Sequence, residues 1–560
     1  MDNSTVNELE ALLQEDLSRL SKTWPGNNQT AIIQLIRIMD YYLLSRIFGD
    51  KEAAKRHKYH CYGWGIALNI FFDEKIDSES FSLFPNNDDF FMWADSLLYY
   101  CGQLGLVKLV IDHIKTGLGR IEKHNNNKFT IHYDNKIIGV EGIEIKEFFW
   151  LNNYLTQMNS NYYDSIAVLA KDIHESMKEN VYIWRNYFLG YNTTHEIDRF
   201  YLDLSKFELQ KTIGFDSFPP NTLFGGLPFE LYLDALCILK SFSLRHVGFV
   251  TNQLAKGIKV DSANLLQHFM LKSDIVFYLS QAMKIDSVIA EKIIDMLTLN
   301  DLNKDHFCSK VDGAIPPFIE ISRHHILFSH SGFKAQPVLF MLNELRRRYQ
   351  KDWDRALDKR EEIFRAELYS LFSEERFIKI NRPIVIKVLG KVLTDIDGFI
   401  YDKETGTLAL FQLKWQEPFA NSMVERRSRK KNFEKESNHW IMSISNWLVN
   451  KSNDELAASF GFKNNDFKDY TRSLLFIIGR NFAHFSGDDF PDERAAWGMW
   501  PQLLRLMNEN ICTEDNLLSW LFNLLKKDSP VEKAKESNRN LKDHIIELKD
   551  YQVFINWAHE

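Results

Sequence analysis

Two short segments of this chain bring carboxylates, an amide and an amine within reach of one another. Thr394-Asp395-Ile396-Asp397-Gly398-Phe399 is followed, after one turn, by Leu410-Phe411-Gln412-Leu413-Lys414. The turn lies between Tyr401 and Thr407, where Asp402, Glu404 and Gly406 tolerate a tight bend. A four-residue loop from Lys403 to Gly406 sets position 397 opposite 412 and position 395 opposite 414. Side chains alternate along strands, so Asp395, Asp397, Gln412 and Lys414 then share one face. Adjacent aspartates repel and a buried lysine favours its neutral form, which makes such a face costly unless an ion joins it. Asp397, the Gln412 side-chain oxygen and the Leu413 backbone carbonyl are hard donors of the kind Mg²⁺ accepts while keeping several waters, with Mn²⁺ as a substitute. Lys414 beside a metal-bound water could orient or help deprotonate a nucleophile and offset charge growing on a phosphate.

This hairpin resembles the catalytic hairpin of the PD-(D/E)xK, or restriction-endonuclease-like, nuclease superfamily, in the variant with glutamine at the second acidic position, as in Mrr-like nucleases. By that resemblance Asp397 is the metal-binding aspartate, Gln412 the (D/E/Q) position and Lys414 the lysine, while Asp395 stands where many members carry an extra acid. The family also implies an acid on the helix before the hairpin. Residues 359–372 read as that helix, with Ile363, Phe364, Leu368, Leu371 and Phe372 in one apolar stripe. Glu367 lies inside the stripe, Glu361 borders it as the reserve candidate, and Glu362 points away. A second helix is expected over 432–448 and a buried strand over 473–479, completing the order helix, strand, strand, strand, helix, strand within residues 350–485. Gln412 departs from the acidic pattern and is a weaker metal ligand than a carboxylate. The resemblance implies a Mg²⁺-dependent endonuclease acting on DNA, in a bacterial restriction or defence setting.

Charge distribution agrees with a phosphate-binding segment. The net charge is -8, yet residues 341–480 hold 26 Lys plus Arg against 21 Asp plus Glu, so positive charge gathers around the motif. Arg346-Arg347-Arg348 form one cluster. Arg426, Arg427, Arg429, Lys430 and Lys431, just after the hairpin, form another that could grip a nucleic-acid backbone.

At 560 residues the chain is expected to be multidomain: a mainly helical region over 1–300 for sensing or assembly, a linker with a β-hairpin over 301–345, an α/β restriction-endonuclease-like core over 346–485, and a small mixed extension over 486–560. Helices are expected at 31–48, 88–102, 147–158, 164–177, 227–241 and 287–297, a β-insert at 128–145, one long helix with a single break over 337–372, a helix at 516–526 and a strand at 551–555. The first thirty residues are acidic and polar, without a basic start or apolar core, and no apolar run is long enough to span a bilayer, so a soluble cytoplasmic protein with no membrane partner is expected. Cys61, Cys101, Cys237, Cys308 and Cys512 lack paired spacing and read as reduced core residues. His324, His325 and His330 are badly spaced for zinc. The helical region could serve self-association or a partner protein. Two other readings stay open: a catalytically inactive nuclease-fold nucleic-acid-binding or scaffold protein, and a nuclease that cleaves RNA, since a hairpin touching phosphate does not read the 2′-hydroxyl.

Overall fold

Helical spacing of apolar residues dominates the first third of the chain, and asparagine or aspartate caps fix where its helices start. In a computed structural model of the chain these are α1 (Asn3–Arg19), α2 (Asn28–Ile47), α3 (Lys51–Asn69) and α4 (Asp88–Lys115). The Asn27, Asp50 and Asn87 side chains accept from backbone N–H groups in the first turns of α2, α3 and α4, filling donors that have no partner within the helix. Helices also form at Ser160–Glu179, Phe229–Ala255 and Ser287–Asp295. The structure describes all residues except 1–2, 21–22, 73–78, 125–126, 134–159, 258–259, 312, 358, 417–422, 450, 463–466, 468–469, 486–490, 510–514, 529–542 and 557–560. The expected helix at 147–158, most of the β-insert beyond residue 133, and Cys512 lie outside the described residues. Cys61, Cys101, Cys237 and Cys308 are free thiols.

The chain is mixed helix and sheet, with helices concentrated early and several small sheets. β1 (Gly119–His124) and β2 (Lys128–Tyr133) form a hairpin in which β2 is the start of the expected β-insert, while its partner β1 lies upstream of that insert. Its other neighbours come from the far end of the sequence.

A second four-stranded sheet joins Phe269–Leu271, His325–Phe328, Phe318–Glu320 and Thr298–Leu299. Much of the segment expected as a linker is therefore core: Phe318, Ile319, Leu327 and Phe328 are all buried. Its strands are only three and four residues long and are stabilised by residues 269–271, a partner that local sequence does not reveal. His330 is buried with its ring bonded to Ser243 and the Leu266 carbonyl, and His325 is bonded to Ser322. The expected long helix breaks twice, into Pro337–Arg348, Gln350–Leu357 and α5 (Arg360–Ser370).

The sheet that carries the motif is built from β3 (Phe377–Lys379), β6 (Gly398–Asp402), β7 (Thr407–Lys414), β8 (Arg472–Gly479) and β9 (Ala495–Met499), in that spatial order. The first three run antiparallel, and β7, β8 and β9 run parallel. Between β3 and β6 the chain makes a separate hairpin, β4 (Ile384–Val388) with β5 (Lys391–Ile396). Between β7 and β8 it crosses over through α6 (Met423–Val449).

Alternation sorts the sheet's two faces. Phe399, Tyr401, Leu408, Leu410 and Ile477 join Trp440, Ile441 and Ile444 of α6 in a cluster that extends to Ile32, Trp64 and Leu98 of the first helices. On the other face Ile400, Ala409, Phe411, Leu413 and Phe476 meet Phe364 and Leu368 of α5, together with α7 (Trp500–Glu509) and α8 (Leu517–Lys527). The segment after residue 485 thus supplies the fifth strand and part of the cover of this sheet.

β10 (His544–Glu547) and β11 (Gln552–Asn556) complete the sheet of the early hairpin, with β11 parallel to β2. Phe129 of β2 and Val553 of β11 are both fully buried and stand opposite one another. Phe129→Ala should lower unfolding free energy by about 3–5 kcal/mol, the usual range for emptying a buried phenylalanine site; a shift in the urea midpoint with unchanged slope checks this.

Candidate functional site

The tight turn sets the register. Asp402 is buried, and its side chain accepts from the Glu404 N–H and the Thr405 hydroxyl; Gly406 adopts φ 65°, a left-handed conformation that glycine enters freely. Asp402 pairs with Thr407, and the ladder runs back to Gly398 opposite Phe411. The Asp397 N–H continues it with a 3.1 Å bond to the Phe411 carbonyl. Asp397 and Gln412 therefore meet on the α6 side of the sheet, as the four-residue turn predicts.

Their contact is direct. The Gln412 amide nitrogen lies 2.5 Å from Asp397 Oδ2, and the Leu413 N–H donates to the same oxygen over 2.8 Å. Both side chains are buried, Asp397 at 1% exposure. Burial pushes the Asp397 carboxyl up from 3.8 to about 7, the negative charges of Glu361 and Asp395 push the same way, and the Leu413 N–H and Lys414 oppose them.

Asp395 reaches the site by another route than expected. The chain leaves the main sheet at residue 397, so Asp395 pairs with Val385 of β4 and has no ladder partner at 414. It still lines a cavity of about 430 Å³ together with Thr394, Gln412, Lys414 and a stripe of α6 formed by Asn432, Lys435, Glu436 and His439. The Trp440 indole N–H donates to the Asp395 carbonyl over 2.6 Å, and Arg365 of α5 binds the Asp397 carbonyl. Lys414 is held at 2.9 Å by Glu436. The spacing 432, 435, 436 and 439 is that of one polar helix face, a signal that the expected helix over 432–448 already contains.

The expected helix acid is corrected. Glu367 does not face Asp397: it pairs with Arg480, which also holds Asp216 at 2.9 Å, and it lines a different cavity of about 460 Å³ with Trp415 and Asp216. Its place in the apolar stripe of α5 is explained by that arginine. Glu361, the reserve candidate, is the helix acid whose charge acts on Asp397.

The basic cluster is also divided by its helix. α6 begins at Met423, so Arg426 and Lys430 fall one turn apart on its inner face and are 2% and 7% exposed. The Arg426 charge is close enough to His113 of α4 to help hold that imidazole near 3, behind the larger effect of burial, and Lys430 lies 3.8 Å from Glu434. Arg427 and Lys431 are exposed and Arg429 is half-buried. In the other cluster, Arg347 and Arg348 both bind the buried Glu344 carboxylate.

Among the described residues, no group of three His, Cys, Asp or Glu side chains forms a ready metal cage. The available donors, Asp397, Gln412 and Asp395, are carboxylate and amide oxygens, which suit a hydrated hard cation and not zinc. Surplus negative charge around a buried carboxyl is what a divalent ion would relieve. The Gln412 nitrogen faces Asp397, so sharing an ion requires a half-turn of that amide. Leu413 meets Asp397 through its N–H, so the expected carbonyl ligand is not the group turned toward the carboxylate.

Comparison with known proteins gives no match to a family model, a curated protein or a solved structure. The geometry alone carries the chemistry. Among the described residues, no helix is long and apolar enough to cross a membrane.

The Asp397 shift has a direct consequence for stability. Its carboxyl stays protonated in the fold up to about 7 but ionises near 3.8 when unfolded, so stability falls as pH rises between those values and is level above them. Asp397→Asn should therefore be more stable than the parent at pH 8, by on the order of 4 kcal/mol, with little advantage at pH 4. Thermal melts at both pH values check this. In addition, Mg²⁺ should raise the melting temperature of the parent at pH 8 and leave the asparagine variant unmoved. Glu361→Gln removes a charge that raises the Asp397 value, so carboxyl NMR titration should show Asp397 ionising at lower pH, whereas Glu367→Gln should leave it in place.

Proposed function

We propose that this chain is a metal-dependent nuclease of restriction-endonuclease-like type that hydrolyses DNA phosphodiesters, as an endonuclease working in the cytoplasm in a bacterial restriction or defence setting. The observation that carries this reading is the convergence of Asp397, Gln412 and Lys414 from adjacent strands beside a cavity, with a helix before the strands and a helical crossover to a parallel strand after them.

Asp397 and Gln412 would hold Mg²⁺ or Mn²⁺, with Asp395 and Glu361 as nearby acids. Bound there, the ion would supply Lewis-acid stabilisation of charge developing on the phosphate. Lys414, steadied by Glu436, offers an ammonium at the cavity to a phosphate oxygen or to the attacking water. Arg427, Lys431 and Lys435 follow one another at four-residue intervals on exposed α6 surface, a spacing that keeps them neighbours along one side of the helix and able to track a phosphate backbone. The early helical region is assigned to sensing, substrate selection or assembly.

A second reading, a nuclease-fold binding or scaffold protein without catalysis, is favoured by one specific observation. Gln412 and the Leu413 N–H already satisfy Asp397, and a protonated carboxyl there needs no ion.

Plasmid nicking separates these readings. With Mg²⁺ or Mn²⁺ the parent should nick supercoiled DNA, and Lys414→Ala and Asp397→Ala should each reduce the rate by about 10²–10³-fold. Equal cleavage by all three proteins would assign the activity elsewhere. Retained DNA binding without cleavage by any would support the binding module, and cleavage of RNA alone would change the substrate.

A further inference from the structure

The hairpin between β3 and β6 carries an unusual tip. Its inward residues Ile384, Ile386 and Ile396 are buried, which anchors it to the core. Its outer residues are apolar but exposed: Val385 50%, Val388 43%, Val392 65% and Leu389 99%. Leu389 is the most exposed large hydrophobic side chain among the described residues.

Backbone geometry sharpens the point. Val388 pairs with Lys391 across a two-residue turn in which Leu389 has φ 50° and Gly390 φ 80°. Two positive φ values define the turn that suits hairpin twist, and its first position favours Asn, Asp or Gly. Leucine there is disfavoured by its backbone and gains nothing from burial, so neither turn formation nor core packing accounts for it.

Charge points to the occupant. Residues 381–394 contain Arg382, Lys387 and Lys391 and no Asp or Glu, and all three cations are exposed. The strand that starts at this tip brings Asp395, one residue from its far end, to the candidate cavity. Tip and cavity are thus the two ends of one strand, roughly 15–20 Å apart at ~3.3 Å per residue, a span of about five base-pair steps.

We infer that the hairpin 384–396 is a duplex-DNA wedge: Leu389, flanked by Val388 and Val392, enters between stacked base pairs while Arg382, Lys387 and Lys391 hold the flanking phosphates. Apolar side chains inserted at a base step unstack it and bend the helix, and here the bend would turn the backbone about five base pairs away into the cavity. This deepens the nuclease reading and rests on it for the identity of the substrate.

The test uses the full chain with Ca²⁺ in place of Mg²⁺ and a duplex carrying 2-aminopurine. The parent should bind and raise the probe's fluorescence as the base unstacks. Leu389→Asn, which suits the turn better, should fold with an equal or higher melting temperature, give no fluorescence rise, and bind intact duplex about tenfold more weakly. A duplex with a two-base bulge, already kinked, should restore its binding to the parent's level. Unchanged fluorescence and affinity in Leu389→Asn would overturn the wedge and leave the nuclease proposal intact if Mg²⁺ cleavage persists. Absence of DNA binding by the parent would overturn both. If Leu389→Asn instead abolishes association with anionic vesicles or self-association on size-exclusion chromatography, the tip serves a membrane or a second copy, and the wedge is wrong.

Discussion

Asp397 occupies the point where one strand leaves its small hairpin and joins the main sheet, and the burial of its carboxyl there is the constraint around which the site is arranged. Its N–H continues the ladder to Phe411, its carbonyl is bound by Arg365, and its side chain is met by Gln412 and the Leu413 N–H. One residue thereby ties α5, β6 and β7 together. A carboxyl in that position either keeps a proton or acquires a cation, because ionisation without compensation at such depth is unfavourable. The same feature therefore sets both the pH response of the fold and the affinity of the site for a metal.

Much of the site was legible from local sequence. Asp402, Glu404 and Gly406 specify the turn, the turn specifies the register, and alternation then brings residues 397 and 412 to the same side. Every one of those steps depends on neighbours within about fifteen positions. Where the structure departs from this pattern another element intervenes, close in sequence for Asp395 and distant for Glu367 and the basic cluster. Asp395 was drawn away by Val385 in a hairpin not anticipated, Glu367 was claimed by Arg480, and Arg426 and Lys430 were turned inward because α6 starts earlier and packs against α4. Basic residues at helical spacing divide between surface and interior according to helix phase, which a count of charges does not contain.

Domain boundaries were the least legible feature. Pro316-Pro317 and the polar residues before them look like a connection, yet the strand that follows is sandwiched between two others. The apolar cluster on the α6 face of the main sheet continues into the first helices of the chain, so the helical region and the motif-bearing sheet share packing. A perturbation in α2 or α3 has a contiguous path of packed side chains toward the strands that carry Asp397 and Gln412.

The pairing of β11 with β2 has a consequence for biogenesis. Gln552 lies beside Lys128, so a sheet begun early in translation is left with an unfinished edge until residues near 556 have left the ribosome. Contacts of such long range are slow to form and leave strand edges open meanwhile. Until those residues emerge the nascent chain must therefore hold that edge in a provisional arrangement, and a chain cut short before Gln552 would keep its first hairpin unpaired on one side.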